Sequence, residues 1–395
     1  MRPWVIVTDG MQRKTLAAVR GLSEAGFRVA AGETSLLASA LFSRRCRFRF
    51  RYTHPRENEG RFLRDLEAVV RRFDARVLLP MEEETIEACL RHRERFEPRT
   101  VLPFPDLDLF RRLGDKWEMY QVARKAGVPV PETRLLTESE VHRPESRADA
   151  STSTPTADYG LGTQDWVVKP RRGRGAAGVR YGADAAALRE LAARHGELIV
   201  SERLKGEGAA VSLLMDGGGG VRALFTHRQL REYPVTGGAS TLRESWRCPD
   251  MEESAVRMLR AAGWRGVALL EFRRDLRDGR FKLLDVNPRF WGSLALTIRS
   301  GVNMPALLCE TVLGEASAPP PAYATGRRAR WLLPGDLLHL LHATDRLALF
   351  PQFLRADPED TFAWDDPAPT FGLAASLIPY FRRRLLVEGS ESRSV

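Results

Sequence analysis

The sequence predicts a chain of mixed α/β and α+β class: a Rossmann-like parallel sheet, then a strand-rich region, then a short C-terminal extension. Three observations predict it. Strands and helices alternate through the first third of the 395 residues, the pattern of a doubly wound parallel sheet. Beyond Asp165, strand runs meet turn signals at Gly217–Gly220 and Asp278-Gly279 that read as hairpins. After residue 326, arginines mix with apolar runs such as 337–341, the pattern of a terminal helix packed on the body.

In order, Trp4–Thr8 reads as a strand, Thr15–Ala25 as a helix and Phe27–Ala31 as a second strand. Gly60–Arg72, Ala75–Pro80 and Glu82–Phe96 follow as helix, strand and helix. The opening turn lacks GxGxxG, so no dinucleotide fingerprint is present. Leu113–Ala126 reads as a helix that Gly127-Val128-Pro129-Val130-Pro131 ends before an edge strand. Glu138–Gly162, rich in Ser, Thr, Pro, Ala and Asp, reads as a mobile surface insertion without chemistry. The glycine run 217–220 has no Lys-Ser/Thr sequel and is a turn, not a phosphate loop.

The most informative stretch is 264–293. Glu271 closes one apolar run and Asp285-Val286-Asn287-Pro288-Arg289 closes the next. A three-residue loop, Arg277 to Gly279, with Gly279 at positive φ sets Glu271 opposite Asp285, and Asn287 shares their face. A two-residue loop sets Glu271 opposite Val286 and breaks the cluster. Two carboxylates and an amide oxygen beside Arg289 suit Mg²⁺ held against phosphates, with the arginine on phosphate charge. The competing reading of the same residues is a solvated pair of strand ends.

Composition sets the limits. With 43% hydrophobic and 28% charged residues, the chain can bury cores for two or three domains, and no apolar stretch is long enough to span a bilayer. Cys46, Cys89, Cys248 and Cys309 show no CxxC spacing, so neither a disulfide framework nor a zinc site is indicated. The start reads as a strand, not a signal peptide, and the expected location is cytoplasmic. The net charge of +10 fits a nucleic-acid surface or anionic ligands. No RNP, zinc-finger or helix-turn-helix pattern accompanies it, so no nucleic-acid partner is expected.

Four further segments belong together. Asp115-Lys116 opens a helix, and Val167-Val168-Lys169-Pro170 ends a strand on a lysine. A small-residue loop follows at 171–179, and Leu198–Leu204 is another strand with Glu202 where it leaves the apolar run. Lysines supply point charges for phosphates. A glycine-rich loop lets backbone N–H groups approach phosphate oxygens and close as a lid. The segment Pro234–Thr241, with Gly237-Gly238 before Ser240-Thr241, offers amides and hydroxyls for an anion, or is a simple loop.

On these residues the chain resembles the ATP-grasp superfamily, nearest the carboxylate–amine ligase-like branch with a preceding Rossmann-like (pre-ATP-grasp) domain. The likeness rests on Asp115-Lys116, 167–170, the 172–178 loop, 201–204, 233–241, 270–272 and 285–289, and spans about residues 1–315. Position 285 carries aspartate where the family usually has glutamate.

The resemblance implies a pre-ATP-grasp domain at 1–112, a small lobe at 113–200, a large lobe at 201–325 and an extension at 326–395. It implies ATP between the lobes, with Lys116 and Lys169 on its phosphates and Gly173, Gly175, Ala176 and Gly178 covering them. Glu202, Arg203 and Leu204 would contact adenine and Glu207 the ribose. Glu271, Asp285 and Asn287 would ligate one or two Mg²⁺, with Mn²⁺ as a substitute. Arg289 would stabilise the phosphoryl group, helped by Arg231 or Arg228. The implied reaction joins a small-molecule, amino-acid-like carboxylate to an amine through an acyl phosphate, releasing ADP and phosphate. A homodimer is compatible with this reading. Two rivals stand at this point: a non-catalytic, regulatory ATP-binding module, and a basic nucleic-acid-binding protein.

Overall fold

The computed structural model describes residues 2–97, 99–136, 141, 166–173, 178–181, 185–235, 237–315, 319–355 and 357–374. The 138–162 insertion (Val141 apart), Gly175, Ala176, Thr236 and most of the apolar run 371–381 lie outside the described residues.

The first domain holds β1 (Trp4–Val7), α1 (Arg13–Glu24), β2 (Arg28–Glu33), α2 (Ser39–Phe42), β3 (Phe48–Arg51), α3 (Pro55–Phe73), β4 (Val77–Leu79) and α4 (Glu83–Arg91). Its strands are all parallel, in the order β3-β2-β1-β4. Val5 and Val7 enter a core with Leu16 and Leu22 of α1, while Ile6 enters another with Phe62 and Leu66 of α3. A strand covered on both faces has no polar face to alternate with, which is why Val5-Ile6-Val7 reads as a continuous apolar run.

Asp9 adopts a left-handed φ of 57°. Its carboxylate offsets that strain by accepting from Met81 N and Glu82 N, both at 3.0 Å, and from Thr85 Oγ1 at 2.7 Å. The turn into α1 and the start of α4 are thereby held side by side.

The expected single helix at 113–126 is instead two, α5 (Leu107–Gly114) and α6 (Lys116–Lys125). Asp115 breaks them with an extended backbone and caps α6, accepting from Trp117 N at 3.0 Å and Glu118 N at 3.2 Å. The stretch read as one helix over 82–96 ends at Arg91 and continues as a 3₁₀ turn at 93–95. The helix read over 60–72 is the longer part of α3, which opens with a short turn at Pro55 capped by His54 and is broken at Asn58 (φ −160°, ψ 96°) before running on to Phe73.

The next sheet comprises β5 (Thr133–Leu135), β6 (Trp166–Pro170), β7 (Arg180–Tyr181) and β8 (Leu198–Glu202), antiparallel in the order β5-β8-β6-β7. Helix α7 (Ala185–His195) covers one face through Leu188 and Leu191 against Val168 and Val200.

The six-stranded sheet runs β13-β12-β9-β10-β11-β14. Its strands are β9 (Gly208–Met215), β10 (Val221–Tyr233), β11 (Ala239–Trp246), β12 (Gly266–Arg274), β13 (Phe281–Asn287) and β14 (Arg328–Arg330). Alternate residues of β9 serve two cores. Ala209, Val211 and Leu213 pack toward α6 and α8 (Pro249–Ala262). Ala210 and Leu214 pack toward α1, α9 (Leu294–Arg299) and α10 (Met304–Val312).

The extension adds β14 to the sheet edge, then α11 (Leu337–His342) and α12 (Arg346–Phe353). It runs on to the first domain, where Asp366 accepts from Arg20 Nε at 2.9 Å, Ser43 Oγ at 2.6 Å and Arg44 N at 2.9 Å. No helix among the described residues is long and apolar enough to cross a membrane.

Candidate active site

The β12–β13 hairpin reaches the required register by an unexpected route. Its last pair is Arg274 with Phe281, and Asp275 N donates to Arg280 O at 2.8 Å. The loop is therefore the four residues 276–279, not three, with Gly279 at φ 74°. The register then slips by one between Glu271 and Phe272, with Leu284 as the extra residue, and Glu271 faces Asp285 while Leu269 faces Asn287. Glu271, Asp285 and Asn287 share one face, because directly opposed residues point the same way and a two-residue step returns to that side.

Cross-strand pairing extends this row over five strands: Asp285, Glu271, Ala210, His227 and Ser245. A second row on the same face brings Arg273 opposite Gly208, and Gln229 opposite Arg243. Ala210 and Gly208 leave the centre of this face without bulk. A Cβ at Gly208 would come within 2.4 Å of Gln229 Oε1.

Cations from three elements converge on the carboxylate end. Lys116 Nζ lies 3.4 Å from Asp285 Oδ1 and donates to Gly173 O at 2.9 Å. Lys169 Nζ donates to Tyr120 OH at 3.1 Å, and Tyr120 OH donates to Leu284 O at 3.0 Å. The bulge that corrects the register thus also aims a carbonyl at the tyrosine that holds Lys169. Burial pushes Lys169 down to about 8, against the opposing pull of Asp285. Burial, and then the neighbouring Asp285 carboxylate, hold Glu271 well above the usual carboxylate range. Two carboxylates and an amide oxygen brought together under such strain form a donor set that a divalent cation would relieve. Among the described residues, no group of three or more His, Cys, Asp and Glu side chains gathers for a metal.

Arg289 Nε pairs with Glu83 Oε1 at 3.1 Å, and its Nη1 donates to Phe290 O at 3.0 Å. The same carbonyl accepts from Lys14 Nζ at 3.2 Å, and Lys14 pairs with Glu82 at 2.7 Å. Burial first, then Arg289, lower the pKa of Lys14 to about 8. The starts of α1 and α4 therefore form a wall beside Arg289.

Several expected residues sit elsewhere. Arg228 opposes Ala209 and Glu244, on the face away from Glu271, and binds Glu244 at 2.7 Å. Arg231 opposes Leu242, which opposes Arg330, and its Nε lies 3.2 Å from Asp336 of the extension. Neither arginine joins Arg289. The Glu202 side chain lies on the Val200 face of β8, opposite to Lys169, and is bound by Arg277 and, at 3.6 Å, by Lys282. Arg203 lies over the Tyr181 ring at 4.4 Å, Leu204 is buried, and Glu207 meets Arg274 at 3.5 Å.

The expected carboxylate pocket at 237–241 spends its groups internally. Gly237 N donates to Pro234 O at 3.0 Å and Gly238 N to Glu232 Oε2 at 3.4 Å. Ser240 Oγ donates to Leu242 O at 3.4 Å and Thr241 Oγ1 to Asp336 at 3.1 Å. Of the phosphate loop, Gly173 offers its carbonyl to Lys116, and Gly178 takes φ 74° against Pro170, while Gly175 and Ala176 lie outside the described residues.

Sequence reasoning missed Tyr120, Lys14, Glu82, Glu83, His227, Gln229 and Arg243. Tyr120 had a signal, since it stands four residues after Lys116 and so on the same helical face. The others had none, because long-range pairing alone brings them to the cleft.

Residues 113–293 match the family model described as an ATP-grasp domain. The matched stretch follows the parallel sheet β3-β2-β1-β4 in the chain. It is similar to the D-aspartate ligase of Enterococcus faecium, with 23% identity over 235 residues, 57% of this chain and 55% of that protein. The match thus spans about half the length of that curated relative. Among solved structures it resembles the biotin carboxylase domain of Hydrogenobacter thermophilus 2-oxoglutarate carboxylase, bound to MgADP, ADP and bicarbonate (TM-score 0.64, 15% identity, 83% of this chain and 73% of that one). It also resembles the L-amino acid ligase of Bacillus licheniformis (TM-score 0.57, 15% identity, 80% and 76%). A third likeness is to N5-carboxyaminoimidazole synthetase of Staphylococcus aureus with ADP (TM-score 0.61, 12% identity, 82% and 81%).

Proposed function

We propose that the protein is an ATP-dependent carboxylate–amine ligase that forms an amide or peptide bond and releases ADP and phosphate. The observation that carries this reading is the single-faced set Glu271, Asp285 and Asn287, with Lys116, Lys169 and Arg289 around it. Mg²⁺, held by those three oxygen ligands, would neutralise charge at the transferring phosphoryl group. Lys116 and Lys169 would hold phosphate oxygens, and Arg289 would meet the phosphoryl group as a substrate carboxylate oxygen attacks its phosphorus. ADP leaves, and an acyl phosphate forms. An amine then attacks the acyl carbon, the C–O bond to phosphate breaks, and the amine gives up a proton. Walls from the first domain and both lobes would keep water from the acyl phosphate.

The D-aspartate ligase and L-amino acid ligase named above support an amino acid as one substrate. The test is phosphate release from MgATP with pooled amino acids and small acids. Glu271→Gln and Asn287→Ala are expected to abolish Mg²⁺-dependent ADP formation with unchanged melting profiles, and wild-type turnover in both would remove the metal assignment. ATP binding without turnover across the whole pool would favour a regulatory module instead.

A further inference from the structure

Arg243 is fully buried on the cleft face, one row from the metal row and opposite Gln229. Its Nη1 donates to Ser240 O at 3.2 Å and its Nη2 pairs with Asp360 of the extension. Among the described residues, neither its buried Nε nor Gln229 Oε1 across the strand pair has a hydrogen-bond partner. A buried donor without a partner is costly unless something brought to the site completes it.

Asp360 is 2% exposed and uses both oxygens, one on Arg243 and the other on Arg13 Nη1 at 2.6 Å. Arg13 is the first residue of α1 and lies flat over Trp331 of the extension at 3.9 Å. It also touches the cleft loop, since a Cβ at Gly292 would meet Arg13 Nη2 at 2.9 Å. Arg13 and Arg299 both feel the carboxylates of Glu359 and Asp360, with Arg243 repelling each of them. First domain, large lobe and extension therefore meet at a single carboxylate beside the cleft.

We propose that Asp360 is a positioning residue: it fixes Arg243 against Arg13 so that Arg243 Nε is presented to a carboxylate of the substrate. The inference rests on the ligase reading for its substrate, but not for its geometry. The extension is then a third wall of the active site as well as a strap.

The test compares Asp360→Asn with Asp366→Asn. The second variant loosens the same extension where it binds Arg20, Ser43 and Arg44, at no cleft residue. Phosphate release is measured in the full-length protein with the acid varied at saturating MgATP, using whichever acid from the pool supports turnover. Asp360→Asn is expected to raise KM for the acid at least tenfold with KM for MgATP unchanged, and Asp360→Glu to restore part of it. Asp366→Asn is expected to lower the melting temperature without moving either KM. Equal KM changes in both variants, or an unchanged acid KM in Asp360→Asn, would overturn the proposal. Should Asp360→Asn not fold, Arg13→Gln opens the clamp from its other end and carries the same expectation.

A second readout does not need turnover. The Arg243 Nε–H resonance, assigned by its loss in Arg243→Lys, should shift when D-aspartate is added to the MgADP-loaded wild type, and stay put in Asp360→Asn. A resonance indifferent to D-aspartate and to every acid of the pool would sink the proposal. A shift without turnover would leave it standing while removing the ligase reading.

Discussion

His227 shows how a residue can be committed by its surroundings. It stacks on Phe225 at 6.0 Å, touches Ser293 through Nε2 at 3.4 Å and is 2% exposed. Burial, with Arg243 adding repulsion, pushes its pKa down to about 3. In the unfolded chain an ordinary histidine titrates near pH 6.5, so below that value the unfolded chain binds a proton that the folded one refuses. The stability His227 confers is thus complete above about pH 6.5 and is lost as pH falls toward its folded value. Between pH 6.5 and 4.5 the loss is up to about 3 kcal/mol at 1.36 kcal/mol per pKa unit. Urea unfolding of His227→Gln at pH 7 and pH 4.5 should show a smaller loss than the wild type. Equal losses in both proteins would rule out His227 as the source.

At the scale of elements, α6, β6 and β13 meet through one tyrosine. Tyr120→Phe would leave Lys169 and Leu284 O without their shared partner, a cost of about 1–3 kcal/mol by the usual penalty for an orphaned buried group. The same change should weaken binding of a fluorescent ATP analogue about tenfold, the effect of roughly 1.4 kcal/mol. An unchanged affinity would detach the tyrosine from the nucleotide site. This junction also marks what the sequence discloses. Gly279 advertises the turn, but the three-residue loop read there gave the pairing of Glu271 with Asp285 only because the longer loop and the bulge offset each other. The bulge at Leu284 was not, since a one-residue slip leaves no compositional mark. Asp115 was read as opening a helix, but the break it makes after Gly114 was hidden under a continuous helical pattern. Arg228 was misjudged because it sits one residue from His227, and side chains on a strand alternate. The ion pairs of Glu202 were not legible because its partners, Arg277 and Lys282, lie 75 and 80 residues on.

Over the whole molecule, the extension supplies the counter-charges for a set of buried arginines. Arg231 and Arg330 face Asp336, and Arg13 and Arg243 face Asp360. Truncation after Thr325 would remove both carboxylates. Each buried pair broken on one side costs about 3–5 kcal/mol, against a total stability of roughly 5–15 kcal/mol for a folded domain. The truncated chain is expected to be insoluble or to lack a cooperative melt by circular dichroism. A truncated protein melting within a few degrees of the full-length chain would show that the arginines find other partners. None of this was legible in the sequence, where residues 326–395 offered only arginines among apolar runs. The pairing of Arg13 with Asp360 spans 347 positions.

That span orders events during synthesis. Chains leave the ribosome from the N-terminus, and early parts fold before later ones arrive. Arg13 emerges 347 positions ahead of the Asp360 that neutralises it. Until then the strands that carry Arg231 and Arg243 would have to bury unpaired cations. The junction of Arg13, Arg243 and Asp360 is accordingly closed only after Asp360 has emerged, and a product terminated before it would carry both arginines without their shared carboxylate.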